Sequence, residues 1–229
     1  MNISEYIPVS YIPAIITASV ALIAAVLAQV LNNWLTYKRE NKKYLKEVYG
    51  NFISKFFADI ITFVHVNSTP GRGHETKGEV DISAVLEEMF KVVHYGDRHI
   101  QALHLEYNTW RYMEDNKGDS EAILQLKICY HFLLYSKTIF NKIDFPLELT
   151  TIHTLNYSIK AYGYLYVCSE IKGFEEAVND LTSIEMFGLG SLSNLSIWQI
   201  HELVTSDNLE IQEQFIKEVD REIARTTIQ

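Results

Sequence analysis

A chain of 229 residues can hold one membrane anchor and one globular domain with its own core. The formal net charge is −9, and all 20 lysines and arginines lie at or beyond Lys38. Such an acidic balance argues against a nucleic-acid coat, and DNA is not an expected partner. Two cysteines, Cys129 and Cys168, sit in apolar stretches and read as buried thiols of a reducing compartment.

The first expected element is a membrane span. Residues 1–11 form a short tail, and the stretch IPAIITASVALIAAVLAQVL, residues 12–31, is almost wholly apolar or small. Twenty helical residues cover about 30 Å, the thickness of the hydrocarbon layer. Tyr6 and Tyr11 before it, and Trp34 and Tyr37 after it, stand at headgroup depth, so the span is placed at residues 12–34. Two other readings compete. A cleaved signal peptide lacks its positive leading region, because the only charge before Lys38 is Glu5. A core helix of a soluble protein would have to be apolar on every side. Lys38, Arg39, Lys42, Lys43 and Lys46 then outweigh Glu40 and Glu47. By the positive-inside rule this flank is cytoplasmic and the tail lies outside, which suits a single-pass protein of a bacterial inner membrane. The same basic cluster can rest on anionic headgroups of the bilayer.

Small residues recur along the span. Ala14, Ala18, Ala21, Ala25 and Ala28 are spaced four, three, four and three apart, and Asn32 continues the phase. A small stripe lets helices approach closely, so it is a candidate seam between copies of the chain or the lining of a pore. Alanine is also simply common in membrane helices. Thr17, Gln29, Asn32 and Asn33 are the polar groups available to wet a pore.

Beyond the span the fold class is all-α: a cytoplasmic helical bundle over 35–173, with a loop at 67–82, and a C-terminal helical subdomain over 174–229. No strong breaker interrupts residues 32–66, where Gly50 is the soft point, so the anchor continues as a long helix. Tyr49, Ile53, Phe56, Ile60 and Phe63 form its core-facing stripe. The loop NSTPGRGHETKGEV, which carries Arg72 and His74, lacks the strand and glycine spacing of a phosphate cradle. A second helix is expected from a cap at Ser83 to Trp110, relaxed at Gly96. A third covers 120–143, ended by Asp144, Phe145 and Pro146, and a fourth covers 147–171, ended by Gly173. Shorter helices follow over 174–187, 195–204 and 208–226, the last opened by a capping box from Asp207 to Glu210. Aromatic residues are expected to fill the core.

No cofactor is expected, and no metal: the eight histidines form neither an HExxH nor a Cys/His cluster. No GxSxG nucleophile is present. One cluster stands out, HYGDRHIQALHLEY. Within it Arg98-His99-Ile100-Gln101-Ala102-Leu103-His104 resembles the RNase motif of HEPN domains, helical bundles that pair so that two motifs face one cleft. The resemblance implies Arg98 and His104 as catalytic residues of a metal-independent endoribonuclease, with His moving a proton and Arg stabilising phosphate charge. On a straight helix, however, six steps turn His104 well away from Arg98. The bland alternative is that His104 packs in the bundle while Arg98 faces water.

The layout as a whole resembles small membrane effectors of bacterial antiphage systems. It is similar to the membrane-anchored HEPN-like accessory protein of RNA-targeting CRISPR systems. That resemblance implies an oligomeric membrane assembly that perturbs the inner membrane in antiviral defence, with the cytoplasmic domain sensing or gating. It also implies a cytoplasmic protein or RNA-guided partner. The remaining alternatives are a membrane-tethered RNase and a non-catalytic scaffold that recruits a cytoplasmic partner.

Overall fold

The computed structural model describes residues 9–68, 78, 80–112, 120–186, 192, 195–206 and 208–227. Residues 1–8, Arg72 and His74 with most of their loop, most of EDNKGDS and of GLGSLSN, and Asp207 lie outside the described residues. Among the described residues the protein is all-α, without a strand. Two compact units divide it, Met1–Leu45 and Lys46–Gln229.

A short 3₁₀ turn, Val9–Tyr11, leads into α1, Ile12–Val48. Its apolar half is long and apolar enough to cross a membrane, and among the described residues none of that apolar window is buried. Leu22 is 67% exposed and Val20 is 60% exposed. Ile, Leu and Val at the centre of a span each favour insertion by about 0.3–0.6 kcal/mol, whereas in water the same side chains are a liability.

In the second unit the chain passes through a π turn, Tyr49–Ile53, into α2, Ser54–Ser68. The turn has a packing reason. Val48, Phe52, Ile60 and Val64 are fully buried and Phe56 nearly so, a strict four-residue repeat. An α-helix makes 3.6 residues per turn, so such a repeat drifts by about 40° per step. The wider π turn takes up part of that drift and buries Ile53 beside Phe52. It is closed by Ser54, whose amide donates to the Tyr49 carbonyl and whose hydroxyl donates to the Gly50 carbonyl at 3.0 Å. The core stripe therefore differs from the expected one at its ends, where Tyr49 and Phe63 are only half-buried.

The expected helix over 83–110 is two helices. α3, Ile82–Phe90, is capped by Asp81, which accepts from the Ala84 amide, and not by Ser83. A 3₁₀ turn at Val93–Tyr95 and an extended Gly96 then end it, and Asp97 caps α4, Arg98–Trp110. The Asp97 carboxylate accepts from the amides of His99 and Ile100, satisfying two donors that would otherwise be orphaned. The Gly96–Asp97 pair thus acts as a break, where the sequence reading expects only a relaxed helix.

α5, Ser120–Lys142, and α6, Leu149–Lys172, pack side by side. Between them Asp144 takes a positive φ of 53°. α6 is the centre of the unit: α2, α5 and the C-terminal helices all pack on it. Residues 161–165 are buried in unbroken succession, as befits a helix covered on all sides. The Tyr162 hydroxyl donates to the Ile60 carbonyl at 2.6 Å, tying α6 to α2 without leaving a buried polar atom unpaired. Gly173 ends α6 at φ 94°, a conformation that glycine alone adopts without strain.

α7, Phe174–Met186, packs against α6 and α2, and the Lys172–Asp180 ion pair at 2.8 Å joins it to α6. α8, Ile197–Thr205, also lies on α6 and opens with a capping box between Ser196 and Gln199. α9, Leu209–Thr227, begins at Asn208, whose side chain accepts from the Glu210 and Ile211 amides. These helices share the compact unit Lys46–Gln229 with the bundle.

Candidate functional site

Two regions carry the residues singled out by the sequence: the apolar half of α1, and the start of α4. On α1, helical geometry sets Ala14, Ala18, Ala21, Ala25, Ala28 and Asn32 within an arc of about 80°. All six are exposed. The polar groups around them are partly committed to the helix itself. The Thr17 hydroxyl donates to the Pro13 carbonyl at 2.8 Å, and the Gln29 amide donates to the Asn33 side-chain oxygen at 3.3 Å. Such internal pairing lowers the cost of placing these groups in hydrocarbon. Lys38, Arg39, Lys42 and Lys43 fall within an arc of about 140° on the same helix, and Lys46 stands in its last turn. All five basic side chains are exposed. The Lys38 ammonium sits over the Trp34 ring, 4.0 Å from its centroid, a cation–π contact where an interfacial aromatic is expected.

In the second unit, Glu47 and Asn51 reach the 3₁₀ turn before α4. The Tyr95 hydroxyl donates to Glu47 Oε1 at 3.0 Å and accepts from Asn51 Nδ2 at 3.3 Å. The Tyr95 carbonyl accepts from the Tyr135 hydroxyl of α5 at 3.0 Å. A hydrogen-bonded path therefore connects the end of α1, the approach to α4, and α5.

Arg98 is exposed at the first position of α4. His104 is half-buried, its ring 4.4 Å from that of Phe90 and its Nε2 2.7 Å from Asn108 Nδ2. Burial lowers its pKa from 6.5. α4 runs unbroken through both positions, so they lie about 120° apart around the axis and about 9 Å along it. The helix does not bring Arg98 and His104 onto one face, and a shared cleft would need a second copy of the chain.

No family model, no curated protein and no solved structure matches this chain. Function must therefore be read from the residues themselves.

Other histidines do come together. His99 of α4 stacks on His131 of α5, their rings 5.7 Å apart and 9° from parallel. Tyr130 stacks on His201 of α8 at 6.3 Å, with its hydroxyl 3.2 Å from His201 Nδ1. His131 is held down to a pKa of about 4, first by burial and then by the charges of His99, His201 and Lys127, with Asp97 acting the other way. Burial pushes the Tyr130 phenol well above its ordinary value of 10, so it keeps its proton. Three helices far apart in sequence build this cluster, and no motif spacing announces it. Among the described residues no group of three or more His, Cys, Asp or Glu is placed to hold a metal ion.

Cys129 and Cys168 are free and buried, and burial pushes both thiols up to about 12. Neither is poised as a nucleophile. An open apolar cavity of about 330 Å³ lies at the α5–α6 corner, where Tyr49, Phe57, Phe140 and Phe145 gather.

Proposed function

We propose that this protein is a single-pass effector of a bacterial inner membrane, whose span associates with copies of itself and perturbs the bilayer, in the manner of small antiphage membrane effectors. The uncovered apolar length of α1 carries this proposal, because about 30 Å of exposed apolar helix needs a bilayer around it. The exposed alanine stripe, with Asn32 on its axis, supports close approach between spans. The Thr17–Pro13 and Gln29–Asn33 bonds favour perturbation by packed spans over a broad water-lined channel, since these polar groups already have partners. The exposed lysines and arginine after the span favour a cytoplasmic second unit, with the path through Glu47 and Tyr95 available to carry a signal toward α1.

Membrane potential in expressing cells tests the effector role. Wild type is expected to depolarise the membrane, and Ala21→Leu with Ala25→Leu to abolish this while leaving the protein membrane-bound. Unchanged potential in wild-type cells would overturn it. Mass measurement of the detergent-solubilised protein separates the alternatives: a closed assembly of many copies fits the effector, a dimer fits an RNase that pairs Arg98 with a second copy's motif, and a monomer fits a scaffold.

A further inference from the structure

The corner between α5 and α6 meets the π turn, and the open cavity of about 330 Å³ lies there. That volume falls in the range of small-molecule pockets. Four segments bring one aromatic ring each: Tyr49 from the π turn, Phe57 from α2, Phe140 from α5, and Phe145 from the connection to α6. The Phe140 ring stands steeply to two of the others, at 88° to Phe57 and 63° to Tyr49, and Phe145 is tilted against it by 38°. The rings therefore form walls at an angle rather than one flat stack. Tyr49 and Phe57 are half-buried and Phe145 is exposed, so ring surface stays open to a ligand. Tyr49 and Ile53 line the cavity from the two ends of the π turn, a wide conformation that recurs at functional sites.

We propose that this cavity binds a small organic ammonium ion with an apolar body. An aromatic face attracts a cation through its negative quadrupole, and the attraction grows as water is excluded. The charge of the lining agrees. Among the described residues that line the cavity, Glu148 alone is charged. It stands at the start of α6, but its side chain makes no capping hydrogen bond, so the carboxylate is not tied up in the helix start. The helix start carries about half a positive charge, against a full negative charge on Glu148. The charged residues next in sequence to the lining are Lys55, Asp59 and Asp144, which together add one more negative charge. An anion would meet this carboxylate and the negative faces of the rings. A neutral apolar molecule would fill the space and use neither. The site goes beyond the membrane reading, because every lining residue belongs to the unit Lys46–Gln229.

Methyl NMR on the full chain in nonionic detergent micelles tests this, with benzyltrimethylammonium as the probe. Its neutral carbon isostere neopentylbenzene and the anion phenylacetate are the controls, with free concentrations corrected for partition into the micelles. The ammonium ion is expected to shift the Ala58 and Leu147 methyl signals saturably, and to bind at least about fivefold more tightly than neopentylbenzene. Phenylacetate should leave those signals in place. Glu148→Gln removes the charge and keeps the shape, and should weaken ammonium binding by about threefold or more. Phe145→Leu keeps apolar bulk and removes a ring face, with a similar loss expected. Both positions are exposed, and an unchanged signal from the buried Ile159 of α6 reports that each variant folds. Should a variant not fold, the comparison of ligands on the wild type decides alone. No saturable shift in the wild type would overturn the proposal. Neopentylbenzene bound as tightly as the ammonium ion, a preference for phenylacetate, or undiminished ammonium binding in either folded variant would overturn it as well.

Discussion

Gly163 on α6 and Ile200 on α8 approach so closely that a β-carbon at residue 163 would meet Ile200 Cγ2 at 2.2 Å and the Tyr130 ring at 3.1 Å. Alanine favours a helix interior by about 1 kcal/mol over glycine. Overpacking a buried contact costs about 1–3 kcal/mol, and the β-branched Ile200 has little freedom to move aside. The clash wins. Gly163→Ala is expected to destabilise the second unit by up to about 2 kcal/mol in urea denaturation. A stabilised protein would show that α8 does not seat on α6 as described.

Gly50 gives the opposite sign. Nothing lies within 4 Å of a β-carbon added there, and its φ is not positive. Gly50→Ala should be neutral or stabilising by up to about 1 kcal/mol, through lost freedom of the unfolded chain. A thermal melt checks it, and a marked drop would mean that the π turn depends on glycine.

The Asp97 side chain caps α4 through two amides. Asp97→Ala should cost about 0.5–2 kcal/mol. Asp97→Asn should retain most of that, because its side-chain oxygen still accepts. Equal losses in the two variants would point to charge rather than capping.

Membrane insertion is tested at the centre of the apolar stretch. Leu22→Arg places a charge there at a cost of about 2.5–3.5 kcal/mol on insertion scales. The variant should move from the carbonate-resistant membrane fraction toward the soluble or degraded pool. The same substitution at exposed Leu105 on α4 should leave the protein in the membrane fraction.

Acid stability follows from His131. Its folded pKa, about 4, lies below the ordinary 6.5, so the unfolded chain binds more protons between those values. The contribution is complete above about pH 6.5 and is lost as pH falls toward 4, with no further loss below. It amounts to about 1–3 kcal/mol after allowance for partial exposure. His131→Phe should flatten the stability profile between pH 6.5 and 4, as read by denaturant midpoints.

Much of the architecture was legible because it rests on local chemistry. A twenty-residue apolar run, charges that begin at Lys38, and breakers at Asp144–Pro146 and Gly173 act on the chain around them, and α5, α6 and the exposed half of α1 appear where those signals put them. The split of the second helix was missed because Gly96 alone is tolerated in a helix. It becomes a stop only with Asp97 behind it as an acceptor. The π turn was missed because the stripe from Val48 to Val64 fits a helical pattern until its four-residue strictness is compared with 3.6.

The candidate sites divide in the same way. By itself the sequence determined that one helix is apolar enough for a membrane, that small residues line one side of it, and that the charge behind it is basic. Each of these depends on spacing along a single helix, which the chain carries in its own order. Which histidines meet was decided only by tertiary structure. His99 and His104 stand five residues apart and go separate ways, the first to His131 and the second to Phe90 and Asn108, whereas His201 reaches Tyr130 across seventy-one residues. Those contacts arise because α4, α5 and α8 pack around a common core, and packing joins faces that no local spacing relates.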